Sequence, residues 1–156
     1  MRPLAFVDLE TTGATAANDR ITEIGIVEVD ADGTVREWQQ LLNPSISIPP
    51  FIEQLTGISN AMVANAPPFE AVASEALRRL EGRLFIAHNA KFDYGFLKSE
   101  FKRLGITFRA SVLCTVKLSR ALFPEHKRHN LDSLIERLKI IKHLMLPIKI
   151  WVVVLL

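Results

Sequence analysis

The chain has one cysteine, Cys114, so an internal disulfide framework is excluded, and a lone thiol is expected of a reducing compartment such as the cytoplasm. Charge of one sign is also scarce. Nineteen Lys and Arg against seventeen Asp and Glu leave a net charge of +2, too little to argue for nucleic acid by itself. No glycine-rich phosphate loop occurs, which leaves nucleotide hydrolysis of the P-loop kind unsupported. Nor is there a long apolar run: Ile148 to Leu156 falls well short of the ~20 residues a membrane helix needs. Met1-Arg2-Pro3 leads straight into a strand-like segment, so neither a signal peptide nor membrane association is expected. Internal repeats and low-complexity linkers are missing. Acids are missing from one place in particular, since none follows Glu136. What is present, 156 residues that are 49% hydrophobic and 23% charged, is the composition of one globular domain with room for a real core.

Periodicity organises that domain as far as about residue 138. Leu4 to Leu9 reads as a first strand. Arg20 to Val29, β-branched and partly alternating, reads as a second. Asp30-Ala31-Asp32-Gly33 is turn chemistry, and Val35 to Leu42 returns as a third strand in an antiparallel meander. Asn43-Pro44 and Pro49-Pro50 bracket an irregular stretch. Ser59 and Asn60 can cap a short helix. Pro67-Pro68 opens another, with Phe69, Val72, Ala73, Ala76, Leu77 and Leu80 at helical spacing and Gly82 as its stop. Leu84 to Ala87 is a short buried strand. A helix follows from Lys91 to Leu104, with Gly105 ending it. Phe108 to Leu113 predicts a fifth strand, Thr115 to Leu122 a helix ended before Pro124, and Leu131 to Leu138 a further helix capped by Asn130. A meander followed by alternating strands and helices argues an α/β fold, a mixed sheet flanked by helices.

The first chemical signal lies at the end of the first strand, Phe6-Val7-Asp8-Leu9-Glu10, followed by Thr11-Thr12-Gly13. Side chains at i and i+2 of a strand share a face, so Asp8 and Glu10 project together. Close carboxylates repel, and burying them is costly unless they are paired or bind metal. The alternatives are an exposed acidic strand end and a site for a hard divalent cation such as Mg²⁺ or Mn²⁺. The second signal is Ala87-His88-Asn89-Ala90-Lys91-Phe92-Asp93. Asp93 falls in the first turn of a helix, where an acid suits the helix dipole for purely structural reasons. Phe92 and Phe96 must face the core, however, so Asp93 is brought near a strand end.

Taken with Leu55-Thr56-Gly57-Ile58, these segments resemble three separated motifs of the DEDDh-type 3′→5′ exonucleases. Over residues 3 to 139 the chain is similar to the proofreading epsilon subunit of bacterial DNA polymerase III. Arg128-His129-Asn130-Leu131-Asp132-Ser133-Leu134 matches the segment before that family's last motif. The resemblance implies a ribonuclease H-like five-stranded sheet. It also implies removal of nucleotides from DNA 3′ ends by two-metal hydrolysis, in which a pair of cations clamps the attacking and leaving oxygens. It makes Asp8, Glu10 and Asp93 metal ligands and catalytic acids. Thr11 and Thr12 would approach the terminal nucleotide, Leu55 would wedge between the last two bases beside Thr56, and His88 and Asn89 would line the pocket. The partners it implies are a single-stranded DNA 3′ end and a polymerase subunit or further domain of a longer protein.

The last motif is where the chain departs from the family, which places a catalytic histidine five residues before an aspartate. Here His143 is in register, and Ile148 stands at the position of the metal-binding acid. Pro147 would interrupt a helix, and Trp151 to Leu156 is apolar where the family has an amphipathic helix. Residues 1–138 are therefore expected to form the exonuclease domain. Residues 139–156 are expected to be an atypical tail, the product of a reading-frame change near Lys139, a truncation or a divergent branch. Such a chain is expected to hold one divalent cation and to be a poor nuclease. An RNA-trimming enzyme and a non-catalytic nucleic-acid-binding module are the rival functions. Among the remaining groups, Cys114 reads as a structural thiol rather than a nucleophile. His126-Lys127-Arg128-His129 reads as a phosphate contact or a solvated loop, and Lys98, Lys102 and Arg103 as an exposed helix face.

Overall fold

The computed structural model describes residues 1–138. Three strands open the chain: β1 Leu4–Thr11, β2 Ile21–Val29 and β3 Val35–Leu41. Helices α1 Pro50–Thr56, α2 Asn60–Val63 and α3 Phe69–Leu80 follow, then β4 Leu84–Ala87, α4 Ala90–Arg103, β5 Ser111–Cys114, α5 Thr115–Leu122 and α6 Leu131–Leu138. The strands form one sheet in the order β3-β2-β1-β4-β5. The first three are antiparallel neighbours, and β4 and β5 run parallel to β1. This is the mixed five-stranded sheet the sequence predicts.

Burial along β1 alternates strictly. Ala5, Val7 and Leu9 enter the main core with Ile24 and Ile26 of β2, with Phe69, Ala73, Ala76 and Leu80 of α3, and with Phe96, Leu97 and Phe101 of α4. The even residues, Phe6, Asp8 and Glu10, take the opposite face and are half-buried. A second, smaller core of Ile48, Ile52, Ile58 and Val63 sits under α1 and α2. Gly57 ends α1 at a φ of 76°, the left-handed backbone that glycine adopts without a steric penalty.

The structure departs from the sequence reading at three places. The segment after Pro50, for which no element was predicted, is helix α1. Proline fits the first turn of a helix because its missing N–H has no intrahelical partner to lose. The fifth strand starts at Ser111, not Phe108. Phe108 turns into the core against Phe101 and Tyr94, and the Tyr94 hydroxyl takes the Ala110 N–H, so burial of the ring overrides strand propensity. Strand β1 continues through both acids to Thr11. Among the described residues no helix is long and apolar enough to cross a membrane.

Candidate active site

The pairing between β1 and β4 ends at Phe6 opposite Ile86. Beyond it no strand among the described residues pairs with this edge of β1, and the chain leaving β4 turns into α4. At that turn Asn89 adopts a φ of 67°; asparagine tolerates this left-handed conformation better than other residues with a Cβ. Asp93, in the first turn of α4, is thereby carried onto β1. Its Oδ1 accepts the Leu9 N–H at 3.2 Å, so a carboxylate that is 4% exposed sits at the backbone between Asp8 and Glu10. Asp8 and Glu10 share the half-buried face of β1, and Asp93 lies near enough for their charges to act on its carboxyl.

Their electrostatics follow from that placement. Burial pushes the Asp93 carboxyl well above the usual carboxylate range, and the charges of Asp8 and Glu10 push it further. Asp8 is pushed up to about 6, by burial first and then by the charge of Glu23, against a hydrogen bond from the Leu9 backbone. No Lys or Arg among the described residues is paired with Asp8 or Asp93. The Asp8 and Asp93 carboxyl groups offer hard oxygen donors, which suit a divalent cation. Among the described residues no three His, Cys, Asp or Glu side chains are assembled into a ready ion cage. The acids thus supply donors without closing a site by themselves.

The remaining predicted residues have other partners in the fold. Thr11 and Thr12 are buried and their hydroxyls hold the turn after β1: Thr11 Oγ1 donates to Gly13 O at 2.7 Å, and Thr12 Oγ1 donates to Asp19 Oδ1 at 3.2 Å. A Cβ at Gly13 would lie 2.4 Å from the Asp19 carboxylate and would push that side chain out of its bonds to Thr12 and Thr15. Thr15 also donates to Asp19 through its N–H and hydroxyl. Burial works upward on the Asp19 carboxyl, but the bonds from Thr15 and Thr12 outweigh it and hold the group below its ordinary value. Leu55 belongs to the smaller unit, where it is 78% exposed on α1, and the Thr56 hydroxyl donates to Ile52 O. His88 Nδ1 lies 2.9 Å from Thr115 Oγ1, and burial keeps the ring below the usual imidazole range despite a bond to the His129 backbone. It therefore braces the start of α5 and the loop before α6. Asn89 lines a groove with Ala14, Ala16, Lys91, Phe92, Gly95 and Phe96, to which none of the three acids contributes. His143, Pro147 and Ile148 lie outside the described residues.

The other groups singled out in the sequence have plain places. Cys114 is half-buried at the start of α5. Burial raises its thiol, but backbone N–H groups of Lys117, Ala90, Val116 and Asn89 together hold it below its ordinary value. His129 Nδ1 lies 2.8 Å from Ser119 Oγ, so the basic loop is folded onto α5, while Lys127 and Arg128 remain exposed. One acid near the site was not singled out. Glu23 of β2 stands directly opposite Glu10 in the register. The available signal was an acid inside an otherwise β-branched run.

Residues 5–143 match a family model, RNase_T, described as Exonuclease. The chain belongs to this exonuclease family. The 3'-5' exonuclease DinG of Bacillus subtilis (strain 168) is 44% identical over 136 residues, covering 86% of this chain and 15% of that protein. The PolC-type DNA polymerase III of Caldanaerobacter subterraneus subsp. tengcongensis is 42% identical over 138 residues, covering 87% of this chain and 10% of that protein. The chain therefore spans a small part of these relatives. Among solved structures, Exonuclease X in complex with 5′ overhanging duplex DNA superposes with a TM-score of 0.75 at 26% identity, over 95% of this chain and 82% of that one. E. coli Exonuclease I with a dT13 oligonucleotide has a TM-score of 0.74 at 18% identity, over 87% of this chain and 35% of that one, a likeness of fold. The fold is ribonuclease H-like, and enzymes of the exonuclease family generally use divalent metal ions.

Proposed function

We propose that this domain removes nucleotides from the 3′ end of DNA by hydrolysing the terminal phosphodiester, with Asp8, Glu10 and Asp93 holding Mg²⁺ or Mn²⁺. The observation that supports it best is Asp93 bound to the β1 backbone between Asp8 and Glu10, in a chain of the exonuclease family. When bound, the cations polarise the phosphate and stabilise the attacking and leaving oxygens. The chain's own residues do the rest. Asp93 is held against β1 by the Leu9 N–H. The Thr11–Asp19 turn is rigid beside the acids, where a terminal nucleotide has to fit. Leu55, exposed on a helix stitched to the fold by the smaller core, is free to enter between bases. The substrate is a single-stranded 3′ end, and the PolC-type relative makes a polymerase or a further domain of a longer chain the natural partner.

A second reading, a non-catalytic nucleic-acid-binding module, has two grounds. The described residues close no ion cage, and the resemblance sets Ile148 where the family's last acid would stand. One experiment separates the two. A 5′-labelled single-stranded DNA and its RNA counterpart are incubated with Mg²⁺ or Mn²⁺ and this chain. A second sample carries a variant whose residues 139–156 are replaced by a helix with histidine and aspartate at family spacing. The exonuclease reading expects slow 3′ trimming of DNA by the first and fast trimming by the second. No trimming by either overturns it. Equal, fast trimming by both shows that the acid missing at Ile148 is supplied elsewhere.

A further inference from the structure

Helix α4 sorts its charges by sign. It carries Lys91, Lys98, Lys102 and Arg103 against Asp93 and Glu100. Both acids point inward, at 4% and 2% exposure. Asp93 takes the Leu9 N–H, and Glu100 takes Arg20 and Arg103. The three lysines are exposed, and none is paired with an acid among the described residues. On exposed helices, acids and bases three or four residues apart stabilise one another, as Glu75 answers Arg78 and Arg79 on α3. The outer face of α4 has one sign only.

The spacing makes that face continuous. Lys91, Gly95, Lys98 and Lys102 are four, three and four residues apart, which places them in one row along the helix. From Lys91 to Lys102 the row runs roughly 16 Å at about 1.5 Å per residue. Its first members, Lys91 and Gly95, line the groove between α4 and the loop at Ala14 and Ala16. The groove does not continue between loop and helix. Ser99 Oγ donates to Ala16 O at 2.7 Å, and Arg103 Nη2 donates to Ala16 O and Ala17 O at 3.1 and 3.2 Å, so the loop closes onto α4 there. Along the helix, the surface that leads on from the groove is the lysine row. Lys98 Nζ lies over the Tyr94 ring, 5.5 Å from its centroid, a contact that steadies the ammonium and leaves its charge in place.

We propose that Lys91, Lys98 and Lys102 form a track for the phosphates of single-stranded DNA on the 5′ side of the terminal nucleotide. The proposal rests on the DNA reading given above. Charge complementarity selects the occupant. A row of cations without acids matches a row of phosphates, and the terminal turn of the row is the turn that carries Asp93. The row is long enough for roughly five stacked nucleotides at about 3.4 Å each. Lysine suits the task because its ammonium is a point charge on a flexible stem. It follows a backbone without reading sequence, as an enzyme that trims any 3′ end requires.

The test is the triple variant Lys91→Gln, Lys98→Gln and Lys102→Gln in the full chain. Binding of a 5′-labelled thymidine dodecamer is followed by fluorescence anisotropy in chelator, with salt raised from about 50 to 200 mM. The proposal expects a dependence of log affinity on log salt that is shallower by about 2, at about 0.7 per phosphate contact on a single strand. Across that range native affinity should fall about 20-fold further than the variant's. Glutamine is as good a helix former as lysine, so melting temperature should stay near native. Arg2→Gln removes another exposed cation, before the start of β1 and at the opposite end from Glu10, and should leave the slope unchanged. An unchanged slope in the triple variant overturns the proposal and leaves the face to solvent or to an acidic protein. A loss per charge no greater than that of Arg2→Gln also overturns it, because net charge is then all that the DNA reads. Native chain that binds no DNA overturns the DNA reading and this proposal with it, so the two failures are distinguishable. If the triple variant does not fold, Lys98→Gln and Lys102→Gln singly should each lower the slope by about 0.7, and unchanged slopes in both overturn the proposal.

Discussion

Replacing Asp8 by Asn should stabilise the metal-free protein while destroying its response to metal. The Asp8 carboxyl ionises near 3.8 ordinarily and near 6 in the fold, chiefly because of burial and then the charge of Glu23. The native state thus holds the proton more tightly than the unfolded chain. For this group stability is greatest below about pH 4, declines as pH rises from about 4 to about 6, and stays low above that. At about 1.4 kcal/mol per tenfold change in proton affinity the penalty approaches ~3 kcal/mol. Asn cannot ionise, so Asp8→Asn escapes it. Part of that gain is lost because the site is only half-buried, which leaves ~1–3 kcal/mol and, for a domain of this size, a rise of roughly 3–10 °C in melting temperature at pH 8 in chelator. At pH 4.5 the two chains should melt much closer together. Adding Mn²⁺ should stabilise the native chain by mass action and leave the variant nearly unmoved. Scanning calorimetry at the two pH values, with and without Mn²⁺, measures all four states. A variant no more stable than the native chain at pH 8 in chelator, or stabilised by Mn²⁺ to the same extent, would refute the reasoning.

Asp93→Asn should keep the fold, since an amide oxygen can still accept the Leu9 N–H. It should lower nuclease activity on the order of 10³-fold, because metal stabilisation is worth several kcal/mol; single-turnover rates on labelled DNA check this. Leu55→Ala should leave melting within about 0.5 kcal/mol of native, because the side chain is 78% exposed and surface changes are small. It should weaken single-stranded DNA binding about tenfold, on the scale of one partly buried leucine, as read by fluorescence anisotropy. Glu100→Gln should destabilise by about 2 kcal/mol, because it breaks a charge-assisted pairing with Arg20 that is mostly out of water; urea unfolding gives the value. Phe101→Ala, in the main core at 0% exposure, should cost about 3–5 kcal/mol in the same assay.

Much of this molecule follows from local sequence. The alternating run Leu4 to Glu10 had to put Asp8 and Glu10 on one face, because strand side chains repeat every two residues. The stripe in α4 had to bring Asp93 to the edge of the core, because Phe96, Leu97 and Phe101 lead inward. Helices α5 and α6 and strands β2 and β3 lie within a residue of where periodicity and turn chemistry put them. Two local readings did not survive the whole fold. Phe108 left its strand for the aromatic core, and the segment after Pro50 coiled into a helix to seat Ile52.

What one strand at a time cannot reveal is register. Glu23 reads as an ordinary acid in a β-branched run until antiparallel pairing sets it opposite Glu10. Asp93 reads as a first-turn acid until the β1–β4 ladder ends at Phe6 and leaves the Leu9 N–H to be filled. Gly13 reads as part of a turn until the Asp19 carboxylate takes the space its side chain would need. Periodicity fixes which way a side chain faces, because it depends on the dihedrals of a few neighbouring residues. The neighbour it faces depends on hydrogen-bond pairing between segments far apart in the chain, and that pairing is settled only when the core closes.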